Sequence, residues 1–97
     1  MEKIQVLFRK FNNGEIVAVF PFEVWSDFYM TSYMHIGQHG PMSVGGLTQT
    51  KTARIDEYAE LLEELKGIYN EYELVVLDRC PNLNRIYDNL RKNLRMN

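Results

Sequence analysis

The densest group of reactive side chains is Ser32, Tyr33, His35, Gln38 and His39: a hydroxyl, a phenol, two imidazoles and an amide. Gly37 and Gly40 lie among them. They would let the backbone come close to an anion or a polar ligand, with His35 or His39 as hydrogen-bond partner or pH-sensitive charge. The competing reading is a turn whose histidines bond to nearby carbonyls. Lys51 and Arg54 follow and could add positive charge to such a site.

A metal site finds few ligands here. Zinc takes four protein ligands in structural sites and three in catalytic ones, and beyond carboxylates this chain offers only His35, His39 and Cys80. Four-residue spacing would put both histidines on one helix face, but Gly37 and the Gly40-Pro41 pair oppose a helix there. The expectation is no metal and no cofactor.

Gly40 and Gly45 stand as the two glycines of a phosphate-binding P-loop stand, with a helix following. Where that motif requires lysine and then serine or threonine, the chain has Gly46 and Leu47, so nucleoside-triphosphate hydrolysis is not expected. A weaker form survives, in which loop amides, Lys51, Arg54 and the start of the next helix hold a nucleotide or another phosphorylated metabolite. Cys80 falls near the start of the last helix, beside Arg79, a position that favours thiolate. Nothing in the sequence brings a histidine to it, and a lone cysteine most often packs as a small apolar residue.

Trp25, Phe28, Tyr29 and Met30 belong to an aromatic connection over residues 22–30, and these residue types are enriched at protein interfaces. Packing back over the sheet is the alternative. Phe8, Phe11, Phe20 and Phe22 could stack bases, but core packing accounts for them, and no nucleic-acid motif accompanies the basic tail.

FRKF at 8–11, IVAVFPF at 16–22 and SYMHIGQHG at 32–40 together resemble a family of small uncharacterised proteins of gut bacteria, carried on plasmids, conjugative elements and phages. The resemblance continues through EYAELLEEL at 57–65 and covers roughly residues 4–78. The stretch 23–30 departs from it, and the segment after Leu77 reads as an extension. It implies a setting on mobile elements and an accessory role, and it carries over no catalytic residue.

The elements that must position these residues follow from periodicity. Residues 3–11 alternate, with Ile4, Val6 and Phe8 on one side, as a half-buried strand does. Asn12, Asn13 and Gly14 form a turn into Ile16–Phe20, whose unbroken apolar run predicts a central strand covered on both faces and ended by Pro21. Thr31–Ile36 predicts a third strand. Residues 37–53 hold four glycines, a proline and four hydroxyl residues and read as one long loop.

Ile55, Tyr58, Leu61, Leu62, Leu65, Ile68 and Tyr69 recur at helical spacing with acids between them, predicting an amphipathic helix with Thr52 as a candidate cap. Leu74–Leu77 predicts a fourth strand. Leu83, Ile86, Tyr87, Leu90 and Leu94 then form the stripe of a second helix that displays Arg85, Asp88, Arg91, Lys92 and Arg95. The fold expected is α+β, in the order β-β-β-α-β-α. A mixed four-stranded sheet carries the acidic helix on one face, and the C-terminal amphipathic helix packs nearby.

The chain has 97 residues, 45% of them hydrophobic and 25% charged, which fits one globular domain over 1–97 with 79–97 as a basic helical extension. Its net charge of −2 offers no general attraction to nucleic acid. The charge is nevertheless divided. Residues 56–73 carry seven acids and one lysine, whereas from Arg79 onward five bases stand against one acid. No apolar run reaches the ~18 residues that would span a bilayer, and the single cysteine suits a reducing compartment, so a cytoplasmic protein without membrane contact is expected.

With no complete catalytic set, the leading expectation is a non-enzymatic accessory protein of a mobile element or phage that binds a protein partner, a host factor among them. The contact residues would be Trp25, Phe28, Tyr29, His35, Gln38 and His39. The alternative is a small-ligand domain for nucleotides or phosphorylated metabolites that uses the glycine-rich loop 37–46 with His35, Gln38, His39 and Lys51. A homodimer through the C-terminal helix is a further expectation.

Overall fold

The computed structural model describes residues 1–96, with side chains through Leu94, so Arg95 of the basic stripe lies outside the described side chains. The described residues form a mixed α+β domain of six strands and three helices, four strands coming before the first helix. In order these are β1 (Glu2–Lys10), β2 (Ile16–Ser26), β3 (Tyr29–Met34), β4 (Gln38–Met42), α1 (Val44–Thr48), β5 (Lys51–Thr52), α2 (Ile55–Ile68), β6 (Tyr72–Val76) and α3 (Leu83–Met96).

The strands run β4-β3-β2-β1-β5, antiparallel at each step, and β6 joins β1 in parallel. β1 divides one edge between two partners. The Val6 and Phe8 carbonyls, two residues apart, point to the same side of the strand. The first accepts the Leu77 N–H at 2.8 Å and the second the Ala53 N–H at 3.2 Å, so β6 and β5 lie end to end along that edge.

Helices cover both faces of the sheet. Along β1 and β2, Val6, Phe8, Ala18 and Phe20 point to the side where Leu61 and Leu65 of α2 pack, and the Phe8 ring stacks on Tyr58 at 4.2 Å. Leu7, Val17 and Val19 point the other way, onto Val44 and Leu47 of α1 and Ile86 and Leu90 of α3. A strand buried on both faces has no use for polar alternation, which is why Ile16–Phe20 reads as one apolar run.

The expected four-stranded sheet is therefore incomplete, because residues 37–53 are not a loop. Gly40 and Pro41 lie in β4, an edge strand, where a residue without an N–H is tolerated. Ser43 caps α1 by accepting the Gly46 N–H at 2.9 Å, and burial of Val44 and Leu47 offsets the helix-weakening Gly45-Gly46 pair. Thr52 belongs to β5 instead of capping α2. That end is closed by the Glu57 carboxylate, which accepts the Arg54 N–H at 2.9 Å.

Pro21 does not end β2 either. Phe20 pairs with Thr31 and Val24 with Met30, so Pro21, Phe22 and Glu23 form a bulge that absorbs the missing N–H. The expected connection over 22–30 is thus the outer half of a hairpin. Asn89 of α3 donates its side-chain amide to the Phe22 carbonyl at 3.2 Å, pairing an acceptor in the bulge.

Candidate functional site

The outer end of the β2–β3 hairpin carries the largest group of exposed aromatic side chains close together in sequence. Ser26 pairs with Tyr29, leaving the two-residue turn Asp27-Phe28, and Asp27 takes a φ of 46°, a left-handed conformation that aspartate tolerates better than most residues. Below the turn, Val24 and Met30 pair across the strands and pack into the α3-side core. Trp25, Phe28 and Tyr29 are left 46%, 49% and 44% exposed. The hairpin's base is also held by Arg85, whose guanidinium lies 5.3 Å from the centre of the Phe22 ring.

His35, Gln38 and His39 sit at the other end of β3. Met34 pairs with Gln38, and the three residues between them turn the chain, with φ of 62° at Ile36 and 74° at Gly37. Only glycine enters that region freely, and a β-branched side chain there is strained. The turn is held from α2 by Glu64. One carboxylate oxygen accepts from the Tyr33 hydroxyl and from the Ile36 N–H at 2.9 Å, and the other lies 2.7 Å from His35 Nδ1. The Tyr33 oxygen in turn accepts the Gly37 N–H at 2.7 Å.

These bonds set the local ionisation. The Tyr33 hydroxyl foremost, then the Ile36 amide and His35, hold the Glu64 carboxyl below its ordinary range. Burial first, and then the bond to Glu64, raises the Tyr33 phenol. His39 extends the network, with Nε2 2.8 Å from the Tyr69 hydroxyl and its ring 4.6 Å from that of Tyr33. Glu64 was not among the residues singled out by sequence. The signal available was its place beside Leu61 and Leu65, at the border of the apolar stripe where a charged side chain can turn inward.

A cleft of about 370 Å³ opens beside His35 and Gln38, and its walls carry Glu15, Glu57 and Glu60. Glu57 is paired with Lys10 at 2.5 Å, and Glu15 and Glu60 leave the cleft negative, the wrong charge for a phosphate. Lys51 does not offset them, since it stands opposite Lys10 in the β1–β5 pair and lines a separate depression with Arg54. The residues of the phosphate-binding alternative therefore do not converge, and the glycine-rich segment 37–46 is spent on β4 and α1.

Cys80 is half-buried against the α3-side core, and desolvation raises its thiol pKa, an effect that Arg9 counters only in part. Burial thus outweighs the pull toward thiolate that a place before the last helix suggests, and the sulfur packs there as a small apolar group. Among the described residues no three His, Cys, Asp or Glu side chains are grouped to hold a metal ion, and no helix is long and apolar enough to cross a membrane.

The apolar stripe of α3 is not offered to a second chain. Ile86 and Leu90 are fully buried against their own sheet, so the expected dimer through that stripe would require the helix to leave its core. Compared with protein-family models, curated proteins and solved structures, the chain matches none.

Proposed function

We propose that this chain is a non-enzymatic protein-binding domain whose principal contact is the tip of the β2–β3 hairpin. The observation that carries the reading is the set Trp25, Phe28 and Tyr29, each nearly half exposed, at a hairpin end supported by the Val24–Met30 pair, which packs into the core. Rigid aromatic side chains lose little entropy when a partner covers them, and they supply much of the energy of protein contacts. An accessory role on a mobile element, acting on a host factor, belongs to the same proposal and draws support from the sequence resemblance alone.

The test is capture from host lysate by the tagged protein, with Trp25→Ala and Phe28→Ala beside the parent. Retention of a discrete partner by the parent and its loss from both variants supports the reading. Equal retention by all three, with the variants folded by circular dichroism, removes it.

A further inference from the structure

The two halves of the charge asymmetry lie on opposite faces of one sheet. α2 covers one face and turns Asp56, Glu60 and Glu63 to solvent, whereas α3 covers the other and turns Arg85, Arg91 and Lys92 to solvent. Each stripe contains one exposed charge of the opposite sign, and each forms an ion pair at the same spacing. On α2, Lys66 lies 3.1 Å from Glu63, and on α3, Arg91 lies 3.7 Å from Asp88. All four side chains are about half exposed or more.

We infer that a second copy of this chain docks head to tail, the α2 face of one copy against the α3 face of the next. When the two helices cross antiparallel, Glu63 meets Arg91 and Lys66 meets Asp88, so each charge faces its complement and the four form one alternating cluster. A helix crossing with the same polarity would not give this match. Ala59 and Gly67, four residues to either side of Glu63, are both exposed, and a side chain built at Gly67 would meet nothing within 4 Å. The α2 surface therefore lets another helix approach closely. The receiving surface is a groove of about 530 Å³ lined by Phe22, Arg85, Asp88, Asn89, Arg91 and Lys92.

The contact is heterologous, because a different patch is used on each copy. It therefore repeats along an open row of molecules unless the rotation closes a ring. It uses neither the buried stripe of α3 nor the aromatic hairpin tip.

Sedimentation velocity over a range of protein concentrations, at about 0.01 M and about 0.15 M ionic strength, reads the association. The expected result is concentration-dependent growth in mass that weakens as salt rises. The double variant Glu63→Lys/Lys66→Glu, and separately Asp88→Arg/Arg91→Asp, should each weaken self-association about tenfold or more by setting like charges opposite one another. Mixing the two variants, or combining all four changes in one chain, should restore it. A protein that stays monomeric at low salt overturns the inference, as does association that either double variant leaves unchanged.

Discussion

Tyr33 on β3 donates its hydroxyl hydrogen to Glu64 on α2, tying the central part of the sheet's outer half to the helix that covers it. The same carboxylate reaches past Tyr33 to the turn that follows, so one side chain fixes a strand, a turn and a helix relative to one another.

Replacing Tyr33 by phenylalanine keeps the buried ring and removes the hydroxyl. The Gly37 N–H loses its acceptor and Glu64 loses its strongest donor. A loss of about 1–2 kcal/mol is expected, seen as a melting temperature lower by several degrees, with the circular dichroism spectrum unchanged.

Glu64 also predicts a pH dependence. Its carboxyl in the folded chain lies below the ordinary value of 4.5, so the unfolded chain binds the proton more readily. The stability it contributes is complete above the ordinary carboxylate range and is lost as pH falls through the lowered value. Glu64→Gln should be less stable than the parent at neutral pH, and the difference should narrow as the solution is acidified. Thermal melts across that window check this, and a gap that does not change with pH would show that Glu64 acts through its shape alone.

Ile36 pays for its turn in backbone strain. The residue is 79% exposed and buries little, so Ile36→Gly should raise stability by about 0.5–1 kcal/mol, the relief of the left-handed conformation less the flexibility glycine adds to the unfolded chain. Gly37→Ala should do the reverse, because it imposes a side chain on a φ of 74° even though the space around it is open. Denaturant midpoints of the two variants should move in opposite directions.

Leu90 is fully buried between α3 and the sheet. Leu90→Ala should cost about 2–5 kcal/mol, whereas Lys92→Ala on the outer face of the same helix should change stability by no more than about 0.5 kcal/mol. Similar effects from the two changes would mean that α3 is not docked on this sheet.

The parts of the fold legible in the sequence were those with a strong period and local causes. The alternation of Ile4, Val6 and Phe8, the double burial of Val17–Phe20 and the middle of each helical stripe appear in the structure, whereas Ile55, Ile68 and Tyr87 at the margins of those stripes are exposed and Leu7, expected on the polar side of β1, is buried against the α3-side core. The segment 37–53 was not legible, because its glycines and Pro41 argue locally against regular structure. The β3 partner and the sheet beneath Val44 and Leu47 decide otherwise, and neither is near in sequence. Pro21 misled for a related reason, since whether proline ends a strand or sits in a bulge depends on the neighbouring strand.

Of the residues expected to act together, His35, Gln38 and His39 do share one turn, while Trp25, Phe28 and Tyr29 share the opposite end of the hairpin and Lys51 stands apart. A single strand, β3, separates the first two groups. The turns at Asp27-Phe28 and at 35–37 set where that strand begins and ends, and local composition alone placed neither.

The parallel pair of β1 and β6 joins Glu2 to Tyr72, about seventy residues away along the chain. A pair so distant brings no reward until a large loop has closed, which places this domain among the slower folders of its size. Until β6 arrives, one edge of β1 stands open over Glu2–Val6, and an open edge is a template for another strand. A nascent or partly unfolded molecule is thus exposed to strand exchange with its neighbours along this edge, and the vulnerability ends only when the segment after α2 has been made and docked.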